Sequence, residues 1–167
     1  MDTDATPLIG GALQSAVDFF IRFGSDAFVF VAIAAIIAAF SFYFGRDKLV
    51  PLIAGVYAAI PLYMHFPYTG LLGGDPYLSI GLFLGLAFLG SVAFSGLAMF
   101  MASTGIGFLK VAALCLLTAG LMMAILINLL PASQIHNFSA PTLSLFSAQF
   151  FFWWLAAPVA GVFLFGK

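Results

Sequence analysis

Few residues in this chain could do chemistry. Histidine changes charge near neutrality and ligates metals, and the chain has two, His65 and His136, each beside a break between apolar segments. Asp75 could join them if the loops meet, yet two imidazoles and one carboxylate undersupply a four-donor metal site, so no metal is expected. There is no HExxH, no Gly-rich phosphate loop and no Ser/His/Asp motif. No catalytic or cofactor-binding residues are therefore assigned, and a non-enzyme is expected. Cys115, the single cysteine, lies inside an apolar run and reads as a packed core thiol. Asn137-Phe138-Ser139 matches the short glycosylation pattern.

The elements around these residues follow from composition. With 64% apolar residues, 7% charged and a mean hydropathy of +1.20, the chain lies far from the roughly one-quarter charged norm of soluble domains. It reads as a single all-α membrane domain, 1–167, whose main partner is the lipid bilayer. A net charge of −1, with five basic residues and six aspartates, leaves no basic face for nucleic acid and no polybasic tract for anionic lipid. Asp2 and Asp4 stand where a signal peptide would be basic, so the N-terminal segment is expected to be retained.

Along 7–23, Leu13, Val17 and Phe20 recur at helical spacing, while Gln14, Ser15, Asp18 and Arg22 share the other side. That pattern predicts a short amphipathic helix lying in the interface, with Asp18 and Arg22 placed to pair. Five apolar segments then approach the roughly 20 residues that a spanning helix needs: 27–44, 49–66, 77–101, 108–130 and 143–165. Gly45 suits a helix end, Asp47 a cap for the second span and Asp75-Pro76 a cap and first turn for the third. Pro131 should follow the fourth span, and Ser139 with Pro141 should open the fifth. No internal repeat supports an inverted-repeat transporter.

Five spans place Arg46, Lys48, Lys110 and Lys167 on one side and only Arg22 on the other. By the positive-inside rule the C-terminus is cytoplasmic and the N-terminus outside. The Arg46-Asp47-Lys48 cluster then reads as a topology marker in a tight hairpin, with contact to a cytoplasmic partner as the alternative. No span carries a central charge, which argues against a proton-coupled carrier. In the third span, Gly81 and Gly85 form a GxxxG pair, and Ser91, Ser95 and Gly96 extend a small-residue face that predicts close helix packing. Pro61 and Pro158 should each release a carbonyl, and Trp153 and Trp154, near mid-span, each need an acceptor. Tyr57, Pro61, Asn128 and Gln149 either line a polar path or fasten the bundle through interhelical hydrogen bonds.

Asp26, the helix after it, the Gly45-Arg46 turn and the second helix resemble the start of the small bacterial colicin V production proteins, over about the first 60 residues. The full chain resembles in outline uncharacterised multispan proteins of reduced-genome bacteria. The resemblance implies an inner-membrane location and a link to secretion or envelope processes, and it carries no catalytic residues. The expectation is a non-enzymatic structural or accessory subunit packing against itself, as a homo-oligomer, or against another membrane protein. The alternative is a small channel or carrier for uncharged or apolar solutes.

Overall fold

The computed structural model describes residues 6–68, 74–97 and 107–165. Its regular elements are helical: α1 Thr6–Phe44, α2 Leu49–Met64, α3 Pro76–Leu97, α4 Phe108–Asn128, α5 Ala140–Leu145 and α6 Ala148–Phe165. Three segments are long and apolar enough to cross a membrane, Gly24–Phe44, Pro76–Gly96 and Phe108–Asn128, as a multi-pass membrane protein requires. The apolar helices Leu49–Met64 and Ala148–Leu164 are shorter. The end of the expected third span, 98–101, and Lys167 lie outside the described residues.

Two expected boundaries are corrected. No separate interfacial helix precedes the first span, because α1 runs unbroken from Thr6 to Phe44. Gly24 alone costs a helix about 1 kcal/mol, too little to break it without a proline, and Asp26 turns its side chain to another segment instead of capping a new helix. The expected span 143–165 is two helices, α5 and α6, parted at Phe146–Ser147. There the carbonyls of Leu145 and Phe146 accept hydrogen bonds from Trp154 Nε1 (3.0 Å) and Asn128 Nδ2 (2.6 Å). Side-chain donors thus satisfy carbonyls that a continuous helix would pair with its own backbone.

Other signals read as expected. Gly45 takes φ +100°, a conformation open to glycine, and ends α1. Asp75 Oδ1 accepts the Tyr77 N–H at 2.8 Å, capping α3 beside Pro76. Asp47 is not the cap of α2: it lies in the 3-10 turn Arg46–Lys48, and Lys48 occupies the cap position without a side-chain cap bond.

α4 is the central helix, with Leu114, Ala119, Leu121, Ala124 and Ile125 buried, and it packs on α1 and α6. The stacked rings of Phe42 and Phe108, 6.1 Å apart, join the end of α1 to the start of α4. Those helices therefore run antiparallel, with Arg46, Lys48 and Lys110 at one end of the bundle. α2 and α3 form the most extensive helix pair. Their crossing point is glycine on glycine: a Cβ on Gly55 would lie 2.4 Å from Ser91 N, and one on Gly90 would lie 3.0 Å from Gly55 Cα. Phe28, Ile36, Phe88, Phe152 and Phe163 point outward, the arrangement of a bundle whose solvent is hydrocarbon.

Candidate functional site: a carboxylate clasp and an apolar cavity

The most elaborate polar cluster centres on Asp26, a residue that sequence reasoning did not single out as a site. Its side chain is 3% exposed. Oδ1 lies 2.8 Å from His136 Nε2, and Oδ2 accepts both the Ser139 N–H (2.8 Å) and the Ser139 hydroxyl (2.6 Å). Ser139 is the N-cap of α5, and Thr142 Oγ1 sits 3.0 Å from its hydroxyl. A carboxylate on α1 thereby caps a helix more than a hundred residues away and joins the α4–α5 loop to α1. The faint signal in the sequence was an aspartate beside an apolar run, with a Ser-x-x-Thr helix start far downstream.

These are the residue types of a hydrolytic triad, which the sequence shows in no recognisable motif, but the order is wrong for that chemistry. In a triad the histidine stands between serine and aspartate and takes the hydroxyl proton. Here Asp26 stands between the other two, Ser139 donates directly to the carboxylate, and no hydrogen bond joins Ser139 to His136 among the described residues. Ser139 is also buried, away from any substrate. The arrangement positions a helix; it does not activate a nucleophile.

The other candidate residues are dispersed. His65 Nδ1 sits 3.0 Å from the Pro61 carbonyl, one turn back on its own helix. No group of three His, Cys, Asp or Glu side chains with metal-site geometry occurs among the described residues. Tyr57 donates its hydroxyl to the Leu155 carbonyl of α6, and Asn128 Nδ2 donates to Ala124 (2.8 Å) and Phe146 (2.6 Å). Pro61 and Gln149 are exposed. Tyr57 and Asn128 are thus engaged as fasteners. Trp154 finds its acceptor at Leu145, whereas Trp153 faces outward.

Within the chain, the small-residue face is corrected. A Cβ on Gly81, Gly85 or Gly96 would meet nothing within 4 Å, and Ser95 turns its hydroxyl back to Val92 at 2.7 Å. Only Ser91 of that face is buried; it joins Ala87 and Gly90 against Gly55. The α2 contact selects the opposite side of α3 because Gly55 admits the backbone itself. Arg46 and Lys48 are exposed at the α1–α2 turn and Lys110 is half-buried at the start of α4.

A cavity of about 420 Å³ lies among α1, α2, α3 and α4. Val29, Ile33 and Ile37 line it from α1, Leu52 and Val56 from α2, and Met122 from α4. Thr118 supplies its one hydroxyl, already donated to the Leu114 carbonyl at 2.6 Å. α1 and α3 flank the cavity without packing closely on each other.

Comparison with protein-family models, with curated proteins and with solved structures gave no match.

Proposed function

We propose that this chain is a non-enzymatic, five-span integral membrane protein that serves as a structural or accessory subunit, packing against itself or another membrane protein. The observation that carries this reading is the use of the polar side chains. Asp26, Tyr57, Asn128 and Trp154 each bond to a different helix or loop, so these four side chains tie the elements of the bundle together. Gly81 and Gly85, with open space before them on α3, offer the close backbone approach that a partner helix uses. α2 and α6, short for a 30 Å core, complete the five spans if their flanks reach the interface. The N-terminus is outside and the C-terminus cytoplasmic; the resemblance at Asp26 and Gly45-Arg46 motivates the bacterial inner membrane and a role in secretion or envelope processes.

Purification of the full chain in mild detergent after in-cell cross-linking tests this reading. A stoichiometric partner or a defined homo-oligomer is expected, and Gly85→Leu should reduce its recovery. A lone protein that drives pH-gradient-dependent solute uptake in liposomes would overturn it. The second reading, a channel or carrier for uncharged or apolar solutes, is favoured by the apolar cavity and predicts solute flux without any partner.

A further inference from the structure

We infer that the cavity among α1, α2, α3 and α4 holds the acyl chain of a bilayer lipid, admitted sideways between α1 and α3 with its headgroup left outside. The lining chemistry comes first. Pockets for freely diffusing small molecules carry a few placed polar groups that fix the ligand's orientation. This one has a single hydroxyl, on Thr118, and that proton is committed to the Leu114 carbonyl. A chain oriented by its own headgroup at the interface needs no such groups.

Size and shape agree. An apolar cavity of about 150 Å³ is enough to take benzene, and this one has nearly three times that volume at about 420 Å³. Its lining runs from Val29 to Phe40 on α1, about 16 Å at 1.5 Å per residue, and from Thr118 to Leu126 on α4, about 12 Å. Spread over that length, the volume accommodates a hydrocarbon chain lying along the slot. The slot lies along the helix axes, the direction in which acyl chains run.

Access is lateral. Ile36 on α1 and Phe88 on α3 both line the cavity and are 69% and 56% exposed, so they form a mouth on the outer surface, whereas the floor, Leu52 on α2 and Met122 on α4, is half-buried. With these helices spanning a bilayer, the mouth opens onto lipid tails, and an acyl chain restores the dispersion contacts that the lining side chains otherwise lack.

The test uses the full chain reconstituted into phosphatidylcholine vesicles containing phosphatidylcholine with a mid-chain diazirine. After irradiation, adducts are mapped by mass spectrometry. Leu52 and Met122 should carry several-fold more label than Leu121 and Ile125, which are fully buried on α4 but outside the cavity. Narrowing the mouth with Ile36→Trp and Leu84→Trp should lower the floor adducts several-fold while label on outward-facing Phe163 and the melting temperature stay unchanged. Floor labelling no higher than at Leu121 and Ile125 would overturn the inference. So would floor labelling by a water-carried diazirine alkane but not by the lipid, or floor labelling indifferent to a folded mouth variant. Should the double variant not fold, the wild-type contrast between Met122 and Leu121 decides alone. Neither result depends on the accessory role, which is read from partner recovery.

Discussion

Asp26 shows how much one side chain can hold. Replacing it by alanine leaves the buried Ser139 N–H without its acceptor, at about 1–3 kcal/mol, and the Ser139 hydroxyl with Thr142 alone. Asp26→Ala should therefore lower stability by about 1–3 kcal/mol and loosen the start of α5. His136→Gln, at a partly exposed position that keeps a donor, should cost under about 1 kcal/mol. Thermal unfolding in detergent checks the order, and equal melting of Asp26→Ala and wild type would show that the clasp adds nothing. Trp154→Phe removes the Nε1 bond to Leu145 together with part of the ring that packs on Gly120 and Phe146, and should cost about 1–3 kcal/mol by the same measurement.

Among the elements, the α2–α3 crossing separates glycines needed within the chain from glycines left for something else. A methyl group on Gly55 would sit 2.4 Å from Ser91 N and 2.5 Å from the Ala87 carbonyl oxygen, and backbone cannot move aside as a flexible side chain can. Gly55→Ala should destabilise by about 1–3 kcal/mol, the usual cost of overpacking. In the single chain, dissociated from any partner, Gly85→Ala meets open space and should be neutral, or stabilising by about 0.5–1 kcal/mol from improved helix propensity. Melting of the two variants in the same detergent decides it; the reverse order would mean that α3 packs by its Gly81 and Gly85 side. The spacing of small residues on α3 was plain in the sequence. Which small residues meet α2 was not, because the GxxxG signal marks a helix that tolerates close approach and says nothing of where the partner glycine lies.

For the whole molecule, the antiparallel meeting of α1 and α4 at Phe42 and Phe108 gathers Arg46, Lys48 and Lys110 at one end, with Asp26, His136 and Ser139 at the other. Reporter fusions at positions 47 and 75 should report cytoplasmic and exterior compartments respectively. Reversed signals would turn the orientation over, and matching signals would remove α2 as a span.

What the sequence determined by itself is the helical, membrane-seeking character of the chain, because composition and apolar run length act locally and need no knowledge of the partner surface. The helix ends at Gly45 and Asp75 were likewise legible, since positive-φ glycine and Asx capping depend on a few neighbouring residues. Tertiary structure alone decided the rest. It kept α1 unbroken through Asp26 by giving that carboxylate a distant helix to cap, and it broke the last apolar run where Asn128 and Trp154 reached the carbonyls of Phe146 and Leu145. It left an apolar cavity where α1 and α3 stand apart. Each of these depends on groups brought together from far along the chain, and periodicity, which reads only neighbours within a few turns, carries no information about such meetings.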